Sequence, residues 1–126
     1  MKELGFHIVA EFWKCSVENL KSAGKIKKIL NDVVKNSGFV KVGEAFHQFD
    51  PNGVTGIILL STSHISIHTW PEINYASLDI YSCGGKVPAK KAFDICVKKF
   101  KPKKVIYKEF FRGFDSKVSR KIMKFK

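Results

Sequence analysis

The sequence predicts an α+β fold, a two-layer sandwich in which a mostly antiparallel sheet is covered on one face by two helices. Three observations carry this. Six runs rich in β-branched and aromatic residues are bounded by turn-forming residues. Four of those runs follow one another with only short turns between, the arrangement of an antiparallel meander. Two longer segments repeat apolar residues at spacings of three and four, the signature of amphipathic helices. With 126 residues, 44% of them hydrophobic and 13% aromatic, the chain has enough apolar surface for one domain and one core. It contains no internal repeat and no linker.

Residues 5–13 read as the first strand. Ser16 is a candidate N-cap for a helix whose apolar series Val17, Leu20, Ala23, Ile26, Ile29, Leu30, Val33, Val34 closes at Gly38. The meander occupies residues 39–49, 56–60, 64–69 and 76–82, separated by "DPNG", "STS" and "PEIN". Val87, Ala92, Phe93, Cys96, Val97 and Phe100 line a second helix, with Pro88 in its first turn and Pro102 just past its end. Residues 104–111 form a last strand. The tail 117–126 is basic and loosely patterned, compatible with a short helix or a disordered end.

Acidic residues and a histidine interrupt the apolar residues of "MKELGFHIVAEFWK", and no uninterrupted span of about 18 apolar residues occurs, so the expectation is a cytoplasmic protein without a membrane segment. Cys15, Cys83 and Cys96 are odd in number, widely spaced and without a C-x-x-C pair, which argues for reduced thiols over a disulfide framework or a zinc knuckle. The formal charge is +12, which invites a nucleic-acid partner. Its distribution weakens that reading: of 23 Lys and Arg, 8 lie in residues 2–41 and 15 in residues 86–126. The segment between carries Glu44, Asp50, Glu72 and Asp79 instead, and a pocket there would favour a cation.

The chemistry concentrates in "LSTSHISIHTWPE", residues 60–72. A metal site is disfavoured, because His64 and His68 on one strand stand about 13 Å apart while each ligand must come within about 2 Å of the ion. A serine hydrolase needs flanking glycines around its nucleophile, and "STSHI" has none. A plain polar strand face leaves the clustering of His64, His68, Trp70 and Glu72 unexplained.

"SHISIHTWPE" followed by "YASLDIYSCG", with "EAFHQFDPNGVTG" before and "LGFHIVAEFW" at the start, resembles the short prokaryotic class of S-adenosylmethionine decarboxylase proenzymes, over about residues 1–115. The resemblance implies a chain that cuts itself between Thr62 and Ser63 into 1–62 and 63–126. The Ser63 hydroxyl attacks the Thr62 carbonyl, the resulting ester eliminates the upstream chain, and hydrolysis leaves a covalent pyruvoyl cofactor at the new N-terminus. His68 takes the position of the processing base and Thr55 that of an assisting hydroxyl. The pyruvoyl group forms a Schiff base with the substrate amine and acts as electron sink. Cys83 matches the proton donor, Phe49 the residue stacking on adenine, and Glu72 a nucleoside contact. Without the resemblance, Phe49 reads equally as core and Cys83 as a buried strand-end thiol; Cys15 and Cys96 read as core. Further implications are a homodimer of cleaved protomers with shared active sites, and a role in polyamine (spermidine) synthesis.

Two departures bear on activity. Thr62 replaces the usual glutamate and Thr55 the usual serine. Strand parity also places Ser63 and His68 on opposite faces unless the chain breaks or bulges near Ser63. Loss of the glutamate keeps open a pyruvoyl-dependent arginine or ornithine decarboxylase of the same fold. A further alternative is an uncleaved, non-catalytic binding protein whose basic flanks contact RNA, although no RNA-stacking aromatic motif occurs.

Overall fold

The structure is a computed structural model and describes residues 4–113. In chain order the elements are β1 (Gly5–Trp13), a 3-10 turn (Val17–Asn19), α1 (Ala23–Ser37), β2 (Lys41–Gln48), β3 (Val54–Leu60), β4 (His64–Trp70), a second 3-10 turn (Pro71–Ile73), β5 (Tyr75–Ser82), α2 (Lys86–Phe100) and β6 (Lys104–Arg112). The strands make one sheet in the order β2-β3-β4-β5-β1-β6, and every pairing is antiparallel. The expected α+β sandwich is therefore the observed fold. The expected meander is β2 to β5, and β1 separates it from β6. The tail 117–126 lies outside the described residues.

Alternation with a period of two decides which side chains meet the helices. Phe6, Ile8, Ala10 and Phe12 of β1, Ile58 of β3, Ile65 and Ile67 of β4, and Leu78 and Ile80 of β5 are buried against Ile26, Leu30 and Val33 of α1 and Ala92, Cys96 and Phe100 of α2. Each fully buried large side chain contributes roughly 1.5–3 kcal/mol relative to an exposed one.

The first helix begins later than its apolar series suggests. Ser16 makes no side-chain cap and only one 3-10 turn follows it. Ser22 is the true cap, its hydroxyl accepting from the Lys25 N–H at 3.2 Å. The reason is tertiary: the Leu20 carbonyl is taken by the Thr69 hydroxyl at 2.8 Å, and the Lys21 carbonyl by the Gly53 N–H at 3.2 Å and the Gln48 side chain at 2.9 Å. Those carbonyls cannot also serve the next helical turn. The same bonds anchor the β2–β3 loop, where Gly53 has φ +116 and a side chain would press on the Thr69 carbonyl. A second correction concerns α2: Val87, read as part of its buried line, is 78% exposed, because the buried line runs through Ala89, Ala92, Phe93, Cys96 and Phe100 and Val87 falls on the opposite face of the helix.

Candidate active site

The face of the sheet away from the helices carries the polar members of each strand. All four histidines of the chain lie on it, at sheet positions fixed by register: His7 opposite Tyr81, His47 opposite Thr55, His64 between Leu59 and Tyr81, and His68 between Thr55 and Ser77. This face also exposes Leu59, Trp70 and Ile106, in addition to Phe49 in the adjoining loop.

At one end of β4 sits Ser63. Parity required a break or a bulge near Ser63, and the chain breaks: Ser63 lies in the β3–β4 hairpin loop before the strand begins, with its carbonyl accepting from the Leu60 N–H at 2.9 Å. The irregularity of the sheet is instead in β2, between Lys41 and Gly43. The Ser63 hydroxyl accepts from the Cys83 N–H at 2.9 Å, so the loop before β4 is tied to the loop after β5. Thr62 is exposed, and the Thr62–Ser63 bond is on the molecular surface.

At the other end of β4, Thr55 and His68 face each other across two strands, with Thr55 Oγ1 3.0 Å from His68 Nδ1. They line a cleft of about 280 Å³ together with Phe49, Asn52, Gly53, Thr69, Trp70 and Glu72. Four of the residues singled out in the sequence thus converge in one place. Aromatic rings floor its approach: Trp70 lies 5.3 Å from Tyr75, which lies 4.3 Å from Trp13. Among the described residues no Lys or Arg lines the cleft, and Glu72 is its one carboxylate. A larger, open cavity of about 550 Å³ at the far ends of β1 and α2 is lined by Lys14, Lys101 and Lys103, a field that repels a cationic substrate.

A sequence model of the S-adenosylmethionine decarboxylase family matches residues 6–113. The chain is 45% identical over 112 residues to the S-adenosylmethionine decarboxylase proenzyme of Sulfurihydrogenibium, covering 89% of this chain and 84% of that one. The chain belongs to the S-adenosylmethionine decarboxylase family. Over 113 residues it is 42% identical to the proenzyme of Thermosipho melanesiensis, covering 90% and 87% of the two chains. The crystal structure of the adenosylmethionine decarboxylase from Aquifex aeolicus superposes with a TM-score of 0.87 at 35% identity, covering 90% of this chain and 94% of that one. The Trypanosoma brucei enzyme monomer shares the fold alone, at 13% identity and a TM-score of 0.61 over 83% of this chain and 45% of that chain.

Set beside this family's pattern, the two threonine departures fall in unequal places. Thr55 keeps the hydroxyl that reaches His68, so its extra methyl changes bulk and not bonding. Thr62 is exposed and is not among the residues lining the cleft. The acidic central segment divides as well. Glu44 sits on the helix side of β2, bonded to Lys41 at 2.6 Å, Lys27 at 2.9 Å and Asn31 at 3.0 Å. These bonds, that to Lys41 foremost, hold its carboxyl down at about 2. It adds nothing to the cleft. Of the three thiols, burial pushes Cys15 up to about 11 and Cys96 up to about 12, and both are core, as read from the sequence. Cys83 is the exposed one.

Trp70, Asn52 and Tyr81 are site-lining residues that sequence reasoning did not assign. Trp70 stood inside the contiguous "HTWPE", which was the available signal. Nothing local marked Asn52 or Tyr81. Among the described residues no helix is long and apolar enough to cross a membrane.

Proposed function

We propose that the chain is a self-cleaving, pyruvoyl-dependent decarboxylase of S-adenosylmethionine that works as a two-fold homodimer with active sites shared between copies. The carrying observation is the separation of the two ends of β4. Ser63 and His68 are five residues apart on an extended segment, about 16 Å, so the His68 imidazole cannot reach the Thr62–Ser63 bond of its own chain. In an isologous pair each patch meets its counterpart in reverse, and the sheet face away from the helices, where Leu59, Trp70 and Ile106 are exposed among the described residues, is the surface suited to such pairing. One copy then contributes Ser63 and Cys83, and the other Thr55, His68, Phe49 and Glu72.

The residues fit the chemistry of self-cleavage. Ser63 sits in a loop between β3 and β4, and attack of its hydroxyl on the Thr62 carbonyl closes a five-membered ring through Cβ, Cα and the peptide nitrogen. If His68 Nδ1 carries the hydrogen and donates to Thr55 Oγ1, the partner copy's Nε2 is left with a free lone pair to accept the Ser63 proton. Ser63 is beside Cys83, so a group formed there lies next to an exposed thiol that can hand a proton to carbon. The pyruvoyl carbonyl supplies the electron sink for loss of carbon dioxide. Phe49 and Trp70 offer flat apolar surface for a purine, and the Glu72 carboxylate accepts hydrogen bonds from a ribose and attracts a sulfonium.

Intact mass after denaturation tests the reading. Two fragments, 1–62 and 63–126 with a blocked second N-terminus, replace the 14.3 kDa chain if it is right. Carbon dioxide release is then compared for S-adenosylmethionine, arginine and ornithine. Preference for either amino acid overturns the substrate, and a chain that stays whole overturns the enzyme in favour of a binding protein.

A further inference from the structure

Along β5 the residues facing away from the helices are Tyr75, Ser77, Asp79 and Tyr81, and Cys83 follows Tyr81 on the same side just past the strand end. The pairing Phe6 with Ser82 brings Gly5 alongside Cys83. Gly5 is buried beneath the Tyr81 ring: a methyl group there would stand 2.6 Å from Tyr81 Cζ and overlap Oη. The missing side chain of Gly5 is therefore what lets the phenol lie along the strand toward Cys83.

The ring is held on its other sides. The Arg112 guanidinium, which is opposite Gly5 in the β1–β6 pairing, stands 5.0 Å from the Tyr81 ring centroid and reaches His7 Nδ1 at 3.3 Å. The His7 ring meets it edge-on at 5.6 Å, and the His64 ring lies tilted by 30° at 5.8 Å. His64 directly follows Ser63, so the cage around Tyr81 is continuous with the loop that holds Ser63. Burial raises the Tyr81 phenol, its hydrogen bond with the Cys83 side chain raises it further, and Arg112 opposes both.

We propose that Tyr81 is the positioning residue for Cys83, orienting the thiol and resupplying its proton after each decarboxylation. The inference rests on Cys83 being the proton donor. The electron pair left by carbon dioxide takes the proton from the Cys83 sulfur, forming a C–H bond and a thiolate. The Tyr81 O–H then gives its proton to that sulfur, and the phenolate, beside Arg112, recovers one from water. The Tyr81 phenol is held above the ordinary tyrosine value, chiefly by burial and with Arg112 opposing, so the second transfer is uphill and reprotonation of the phenolate by water draws it forward.

Tyr81→Phe removes the oxygen and keeps the ring. In fully cleaved protein it lowers kcat for carbon dioxide release by about tenfold or more with KM unchanged. It also slows iodoacetamide labelling of Cys83 several-fold at fixed pH without substrate, because the thiolate loses its donor. Gly5→Ala, which keeps the phenol and displaces it from Cys83, is expected to reproduce both changes if the first variant folds poorly. Cys83→Ala separates the two readings: normal turnover in that variant means Cys83 is not the donor. Loss of turnover in Cys83→Ala, with Tyr81→Phe normal in either kcat or labelling, overturns the role of Tyr81 alone.

Discussion

The two ends of β4 are built for different work. The end at Ser63 is a hairpin loop with an exposed peptide bond, a hydroxyl tied to the Cys83 backbone and a cage of His7, His64 and Arg112 around Tyr81. The end at Trp70 is strand and 3-10 turn, with Thr55 and His68 locked across two strands over a cleft that Phe49, Trp70 and Glu72 complete. In the proposed reading, one end holds the atoms that change covalently, on a loop, and the other holds the assisting groups, on paired strands. On that reading neither end is a complete site, and the separation along β4 calls for a second copy.

The sharpest way to break this comparison is complementation. Ser63→Ala and His68→Ala chains each stay uncleaved alone. Co-expressed, the pair cleaves the His68→Ala chain only, because its Ser63 meets the partner's intact His68; intact mass shows the fragments. No cleavage in the mixture would put both groups in one chain. Next in size is Thr55→Val, which leaves the His68 ring unanchored and slows self-cleavage by roughly 10²-fold, whereas Thr55→Ser cleaves at least as fast as the parent; both are followed by gel over time.

Two glutamates sharpen the contrast between the faces. Glu72→Gln removes the cleft's charge and lowers kcat/KM for S-adenosylmethionine by about 10–100-fold, the scale of one hydrogen bond to a charged group, with cleavage unaffected. Glu44→Gln leaves turnover unchanged and acts on acid stability alone. With its carboxyl held at about 2 against an ordinary 4.5, Glu44 stabilises the folded chain above the ordinary value, and that contribution drains away as pH falls toward 2. The Tm advantage of the parent over Glu44→Gln is therefore present at pH 6 and shrinks through that window. An advantage that grows on acidification would reverse the assignment.

Much of the fold was legible because local signals agreed with it. Period-two runs placed β1 and β3 to β5, and Gly38 with φ 88 closes α1 where glycine was expected to. The errors came where a distant group intervened. Ser16 and Ser22 look alike as caps, and the choice fell to the carbonyls of Leu20 and Lys21, which Thr69, Gly53 and Gln48 occupy. Val87 instead stands two residues before Ala89 and five before Ala92, off the buried face of its helix. Of the candidate site, "SHISIHTWPE" carried the chemistry in one line of sequence, and strand parity required the break in the chain that the hairpin loop at Ser63 provides.

Residue types and periodicity determined by themselves the layer architecture, and the resemblance of short motifs to a known family marked Ser63, His68, Cys83, Thr55, Phe49 and Glu72 as the residues to watch, because these are properties of short segments. Tertiary structure decided where the residues sit. It gathered Phe49, Thr55, His68, Trp70 and Glu72 into one cleft, held Ser63 about 16 Å of strand away, neutralised Glu44 on the opposite face, and laid Tyr81 over Gly5 beside Cys83. Register between strands far apart in sequence sets those distances, and no local pattern encodes register.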